Sequence, residues 1–261
     1  MKLFKLIWLL IGVSYSLQAQ KLSKMLEEAT NTQKITLTSG DSVIIFHVVG
    51  EPKEIKPQKE RFYWWYSGGK LKNTQGGYSG KLLNGTYLLQ TSNKDILMEG
   101  NLKYGLKIGV WKSWYPQTGH LQSIESWKNG LLNGKVERFS EDGRTLLYKN
   151  YYKNGFLHGK NIDYSQDKKT ITAFYIKGIQ NGKFTELNAQ DSTLTKGKYK
   201  NGLKNGWLYV YKQGKQSPIQ KKFYKNGQEI ILPQKVAKPV KKTIKLQEKV
   251  VKQEKLKKKE K

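Results

Sequence analysis

Seven copies of one short frame constrain this chain more than any other feature. In its fullest form the frame is an aromatic residue, a Gly three positions later and a second Gly four further on, as at Trp127, Gly130 and Gly134. The equivalent positions 81, 105, 130, 155, 178, 202 and 227 are 24, 25, 25, 23, 24 and 25 residues apart. So regular a period predicts a stacked array of one supersecondary unit rather than a globular enzyme domain.

The glycines of this frame are predicted to be structural. Neither a phosphate-binding loop nor an apolar helix surrounds them, because Lys and Asn flank them and no strand-to-helix context is present. The predicted structural glycines are Gly85, Gly105, Gly109, Gly130, Gly134, Gly155, Gly159, Gly178, Gly182, Gly202, Gly206 and Gly227.

One unit is predicted to be a β-hairpin. Residues 145–153 are rich in aromatic residues, Asn154-Gly155 is a strong turn signal, and residues 160–164 alternate polar and apolar side chains. Polar residues 165–169 form the return turn to the next unit. The sequence therefore predicts an all-β fold, an elongated single-layer antiparallel sheet built from consecutive hairpins.

The frame resembles the MORN repeat, and more closely its bacterial variant, in which an aromatic strand follows the second Gly. Trp111, Trp114 and Tyr115 follow Gly109 in this way, and Trp207, Tyr209 and Tyr211 follow Gly206. The resemblance covers about residues 62–231. It implies a scaffold that associates with proteins or membranes, and some bacterial variants are labelled antitoxin-like.

The chain departs from the standard motif two residues after the second Gly. A third Gly is expected there, and this chain has Tyr87, Trp111, Val136, Asn161, Phe184 and Leu208. This departure favours the variant family and weakens any transfer of phospholipid binding from eukaryotic MORN proteins.

Four segments are predicted. Residues 1–19 resemble a signal peptide, with Lys2 and Lys5 before a short apolar stretch, so we expect export to the periplasm, the cell envelope or the medium. Residues 20–60 form an N-terminal cap and linker, 61–232 the repeat array, and 233–261 a Lys-rich tail without aromatic residues, disordered or transiently helical.

Within the predicted cap, a short helix is expected at residues 21–31, followed by a separate hairpin at residues 35–49 and a linker at residues 51–60. Residues 62–66 are expected to form the second strand of a half-repeat that begins the array. Such atypical ends cover the strand edges of an array.

The charge predicts an anionic partner. The net charge is +28, and +17 remains when the two signal lysines and the tail, with twelve Lys and three Glu, are left out. The expected partners are a protein or an anionic envelope component, namely lipopolysaccharide, acidic glycan or phospholipid head groups. Single-stranded nucleic acid is also compatible with a basic, aromatic-rich sheet, but the expected export argues against it.

Most aromatic residues are expected to pack against one another across neighbouring strands.

No catalytic constellation is predicted, and no cofactor, metal or enzyme activity is expected. His47, His120 and His158 lack ligand spacing, the chain has no Cys, and Glu125, Glu137, Asp163 and Glu186 are spread along strands as solvated charges. We expect a non-enzymatic exported scaffold. The alternatives are a cytosolic antitoxin-like binding module and a glycan-processing envelope enzyme. Neither the ligand, the sheet face used nor the oligomeric state follows from the sequence.

Overall fold

The computed structural model describes residues 31–51, 55–164 and 168–232. These residues form one open antiparallel sheet, so the predicted all-β fold is confirmed. Its strands are β1 Thr32–Ser39, β2 Ser42–Val49, β3 Phe62–Ser67, β4 Lys70–Gln75, β5 Lys81–Thr91, β6 Ile96–Lys103, β7 Leu106–Trp114, β8 Leu121–Lys128, β9 Leu131–Phe139, β10 Leu146–Lys153, β11 Phe156–Leu157, β12 Gly159–Asp163, β13 Lys169–Ile176, β14 Ile179–Asn188, β15 Thr193–Lys200, β16 Leu203–Lys204, β17 Gly206–Lys212, β18 Gln220–Lys225 and β19 Gln228–Ile230.

The described ranges contain no helix, and therefore none that is long and apolar enough to cross a membrane. The helix expected at residues 21–31, all but its last residue, and the Lys-rich tail at residues 233–261 lie outside the described residues.

From β5 onward the chain is the predicted meander, in which each strand pairs with the next one in antiparallel register. The two-residue strands β11 and β16 are the beginnings of longer strands that are interrupted just before the second glycine. Accordingly, β10 pairs with both β11 and β12, and β15 pairs with both β16 and β17.

The N-terminal hairpin differs from the expectation because it is continuous with the array. β1 pairs with β2, and β2 in turn pairs with β5 from Ser42 opposite Thr91 to Val48 opposite Leu83. Phe46 and Val48 are fully buried there, so the apolar face of β2 supplies the core for the first repeat. This burial is why the hairpin joins the sheet.

Residues 62–66 form a strand that is followed by a turn at residues 67–70, as expected, but this unit does not continue the pairing of the array. They lie in β3, which is the first strand of a hairpin with β4 and pairs with β5 only at Trp65 opposite Leu82 and Tyr66 opposite Lys81. The reversal at Gly68 and Gly69, both with positive φ, leads directly into a second extended strand. The turn therefore belongs to a local hairpin and not to the repeat frame.

From Tyr104 onward, the first turn of each repeat is a two-residue turn in which both central residues have positive φ, as at Asn129 (49°) and Gly130 (73°). Such turns match the twist of the strands that they join, and Asn-Gly is their preferred sequence. All twelve predicted structural glycines have positive φ, between 69° and 124°. An L side chain at these positions would be strained.

Two turns place a less suitable residue at the first central position, namely Tyr104 (φ 48°) and Lys177 (φ 50°). We expect Lys177→Asn to raise the free energy of unfolding by about 0.5–1 kcal/mol, because Asn tolerates the left-handed region better than Lys. The reverse change Asn154→Lys should lower it by a similar amount. Urea unfolding monitored by circular dichroism tests both variants, and an unchanged midpoint in both would contradict this explanation.

Hydrogen bonds join each turn to the preceding repeat. The Gly130 amide donates to the Lys107 carbonyl at 2.9 Å, and the acceptor lies two residues after the first glycine of the repeat before. The same bond, with N···O distances of 2.6–2.9 Å, is made by Gly105, Gly155, Gly178, Gly202 and Gly227. This regular bond fixes how neighbouring repeats stack.

One buried residue from each of six repeats lies in a row across the sheet, and further buried clusters lie at the N-terminal end. The residue two positions after the second glycine is at most 8 % exposed in every repeat. These residues are Tyr87, Trp111, Val136, Asn161, Phe184 and Leu208. We call the face that carries this row the packed face and the opposite face the open face. This position of the repeat thus supplies one buried side chain in each of the six repeats.

Small residues separate the large ones in this row. Tyr87 lies opposite Gly100, and Phe184 lies between Ala173 and Gly197. A Cβ atom on Gly197 would lie 2.5 Å from the Phe184 ring, and one on Gly100 would overlap the Trp111 indole. The rings of Trp111 and Phe184 occupy the space above the glycines on the neighbouring strands. Large and small residues therefore alternate along the row.

Candidate binding surface

Aromatic residues on the packed face contact one another. In the C-terminal repeats the aromatic residue that opens the frame lies beside the central row, and the rings of Phe184 and Tyr199 meet edge to face with centroids 5.0 Å apart. Tyr175 and Tyr224 pack against the same cluster. These rings stabilise the sheet by cross-strand contact, as expected for a sheet with no second layer above it.

The packed face also holds a lysine between two indole rings. The Lys107 Nζ lies 4.2 Å from the ring centroid of Trp111 and 4.8 Å from that of Trp127. The Trp127 Nε1 donates a hydrogen bond to Glu125 at 2.9 Å. Burial lowers the pKa of Lys107, while the charge of Glu125 raises it. Sequence reasoning missed this cluster because Lys107 reads as one of many lysines near a turn.

We expect Lys107 to titrate below the ordinary lysine pKa of about 10.4, because desolvation disfavours its charged form. Glu125→Gln should lower this pKa further, since it removes the charge that raises it. Glu137→Gln, which alters a carboxylate on the open face, should leave it unchanged. NMR titration of ¹³C-labelled lysine side chains measures all three, and titration of Lys107 in the ordinary lysine range would contradict the burial argument.

On the open face, the N-terminal repeats carry both signs of charge. Residues that lie directly opposite each other in antiparallel strands share a face, so Glu99 and Lys112 lie side by side there, with a 3.3 Å ion pair. Glu137 lies between Lys135 and Lys149, at 2.9 Å and 3.5 Å. Each open-face strand carboxylate of this region is thus neutralised by neighbouring lysines.

The C-terminal part of the open face differs. In the described strands β12–β19 the acidic residues are Asp163, Glu186 and Glu229, and all three lie on the packed face by strand alternation. Glu186 and Glu229 pair there with Lys169 at 3.7 Å and Lys222 at 2.9 Å. The open face of these strands carries only positive charges, from Lys160, Lys183, Lys196, Lys198, Lys200, Lys221 and Lys225.

One exposed and three half-buried aromatic rings lie among these lysines. Trp207, Tyr209 and Tyr211 alternate along β17, with successive ring centroids 6.2 Å and 6.4 Å apart. Phe223 lies opposite Trp207 on the neighbouring strand, with centroids 5.3 Å apart. Trp207 is 42 % exposed. We call these four residues the aromatic ladder. It combines flat apolar surface with a positive surround.

Each repeat contributes two strands, so equivalent positions of successive repeats lie two strands apart. The distance between them is therefore about 9.6 Å. Three pairs of open-face lysines are related in this way, namely Lys160 with Lys183, Lys196 with Lys221, and Lys200 with Lys225. A ligand with a charge period of similar length could contact each pair in turn.

The acidic and histidine residues that were examined as catalytic groups or metal ligands do not form a common site. Glu125, Asp163 and Glu186 lie on the packed face and Glu137 on the open face. All four are half-buried rather than solvated, and the side chain of Glu137 is only 12 % exposed between its two lysines. His47 contacts Thr86, while His120 contacts the Glu141 carbonyl at the far end of another hairpin. Among the described residues, no group of three or more His, Cys, Asp or Glu could hold a metal ion.

The aromatic ladder was partly visible in the sequence, since Trp207, Tyr209 and Tyr211 alternate after Gly206. The segregation of charge was missed. Its signal is the residue directly after the second glycine, which is Lys in three consecutive repeats at Lys135, Lys160 and Lys183. The lysine after the second glycine can be assigned to the open face only when the residue that follows it is known to be buried on the packed face.

No protein-family model matches this chain, and no curated protein matches it significantly. The function is therefore argued from the surface of the sheet.

Proposed function

We propose that this chain is an exported, non-enzymatic repeat scaffold of the MORN type that binds an extended acidic glycan across the open face of β12–β19. The observation that carries the proposal is the charge of that face, which holds seven lysines and the aromatic ladder and no strand carboxylate among the described residues. Elsewhere on the open face, Glu99 and Glu137 are paired with lysines.

The arrangement suits a polymer better than a small anion. The lysines are distributed over several strands and recur with the repeat, so each contact is weak and the array makes the contacts additive. The spacing of about 9.6 Å between equivalent lysines is comparable to the length of a disaccharide. A glycan with one acid group per disaccharide would present its charges at that interval, and its C–H faces would lie against the rings of the aromatic ladder.

Two observations favour a glycan over single-stranded nucleic acid. The described strands β12–β19 contain no Arg, whose planar guanidinium is the side chain best suited to bidentate phosphate recognition. Residues 1–19, which lie outside the described residues, have the sequence pattern of a signal peptide, and the proposed location is therefore the cell envelope or the medium.

The proposal is tested by titrating the purified mature chain with hyaluronan oligosaccharides, which carry one carboxylate per disaccharide. Uncharged dextran, oligo-dT and phosphatidylglycerol vesicles serve as comparisons. We expect hyaluronan to bind and its affinity to fall steeply between 50 and 200 mM salt, in the range where screening changes most, while dextran does not bind. Tighter binding of oligo-dT or vesicles would replace the glycan by that ligand. No binding of any of these polyanions would contradict the proposal.

A further inference from the structure

A cleft of about 610 Å³ opens at the return-turn end of the C-terminal repeats. It lies between the turn that follows β14 and the turn that follows β17, and it continues the open face of both strands. The two turns are held together by the hydrogen bond from the Gln213 amide to the Ser192 carbonyl, at 2.9 Å. The volume is within the usual range of small-molecule sites.

The floor of this cleft is apolar and flat. Leu187 lies directly opposite Leu194, and Leu194 lies directly opposite Tyr211, so the three side chains form one row on the open face. Leu187 is 48 % exposed, and Ala189 extends the floor toward the turn. A sheet that leaves two leucines and one ring uncovered in the same row offers a ready surface for an apolar ring face.

The rim is cationic and rich in amides. Lys196 has its Nζ 5.1 Å from the centroid of the Tyr211 ring, Lys215 belongs to the second turn, and Lys212 at the end of β17 also lines the cleft. None of the described lining residues is acidic. The nearby Asp191 is directed into its own turn, because its carboxylate accepts hydrogen bonds from the Thr193 amide at 3.0 Å and the Thr193 hydroxyl at 2.6 Å. The remaining polar lining residues are Asn188, Ser192, Gln213 and Gln216.

We infer that this cleft holds one acidic pyranose ring, such as a uronate residue, and so forms a terminal subsite of the glycan-binding face. The apolar floor contacts the C–H face of the ring, the amides bind hydroxyl groups, and the lysines bind the carboxylate. The inference rests on the proposed function, which it deepens by naming the chemistry of one sugar and the place where it binds.

The test is a titration of the mature chain with sodium glucuronate, followed by the ¹³C-methyl signals of Leu187 and Leu194. Glucose tests the requirement for charge, and octanoate tests whether any apolar acid suffices. We expect glucuronate to shift both residues with a dissociation constant in the millimolar range that is typical of weak sites. Glucose should bind at least tenfold more weakly. Equal shifts with glucose or octanoate, or no shift with glucuronate, would overturn the inference.

Two variants distinguish binding in the cleft from binding on the rest of the open face. Ala189→Trp fills the cleft from an exposed turn and should abolish the glucuronate shifts, whereas hyaluronan binding should change by less than about threefold because the other contacts remain. Lys215→Gln should weaken glucuronate binding without filling the cleft. Hyaluronan binding without glucuronate shifts would overturn the subsite alone, and glucuronate binding without hyaluronan binding would overturn the proposed function alone.

Discussion

Replacing Trp111 by Ala is expected to lower the free energy of unfolding by about 3–5 kcal/mol, which is the usual cost of deleting a buried indole. Trp111 is 2 % exposed, and its ring covers Gly100 and contacts Tyr87 with centroids 5.4 Å apart. Trp111 belongs to the buried cluster of Phe46, Leu83 and Tyr87, against which Trp64 of β3 packs, so its loss would leave a cavity within this cluster. Urea unfolding followed by circular dichroism measures the loss.

Trp207→Ala is the matched control, because it removes the same side chain from the open face of the same sheet, where Trp207 is 42 % exposed. It should destabilise by less than half as much. Gly100→Ala provides an independent check, since its Cβ would overlap the Trp111 ring and cost about 1–3 kcal/mol. That cost should largely disappear in a Trp111→Val background. Equal costs in both backgrounds would show that the central row does not pack as described.

Neutralising three open-face lysines, Lys183, Lys198 and Lys221, by substitution with Gln is expected to weaken hyaluronan binding by roughly 10- to 150-fold near physiological salt. The estimate takes about 0.5–1 kcal/mol for each exposed charge contact, or about 1.5–3 kcal/mol in all. Lys221 lies opposite Tyr209 of the aromatic ladder, Lys183 lies opposite Lys198 on the strands that precede the ladder, and all three lie outside the cleft. Isothermal titration calorimetry at two salt concentrations measures the change.

The matched control removes three lysines from the packed face of the same C-terminal repeats, Lys169, Lys204 and Lys222, also by substitution with Gln. The net charge of the two triple variants is identical, so a general electrostatic attraction would weaken equally in both. Binding through the open face predicts a loss of less than about threefold for the packed-face variant, because its charges lie on the opposite side of the sheet. Equal losses would contradict a face-specific site.

Local chemistry made the repeat predictable. Asn-Gly pairs such as Asn154-Gly155 fix positive φ at both turn positions, and the regular period then determines where each hairpin begins. The β3–β4 hairpin was misread because residues 62–66 have the same aromatic composition as a repeat strand. What sets this hairpin apart is that β5 pairs along its length with β2 and with β3 at only two positions, and such pairing is a tertiary property.

The candidate surface was less predictable, because both faces of the sheet carry aromatic residues. Composition alone does not distinguish Trp111, which is buried, from Trp207, which is exposed, although both lie within two residues of a second glycine. The face on which each residue lies depends on the strand register. The register shows that Glu186 lies on the packed face, whereas the seven lysines lie on the open face. Charge segregation therefore appeared only with the structure.

The most direct measurement of whether the open face binds the glycan uses the indole N–H signals as built-in probes. A ¹⁵N–¹H spectrum of the mature chain is recorded with and without a hyaluronan hexasaccharide. Binding at the open face of β12–β19 predicts that the Trp207 signal shifts, while those of Trp111 and Trp127, whose indole N–H groups donate to Asn101 and Glu125 on the packed side, stay in place. Shifts at Trp111 and Trp127 with an unchanged Trp207 would place the ligand on the other face and contradict the proposal.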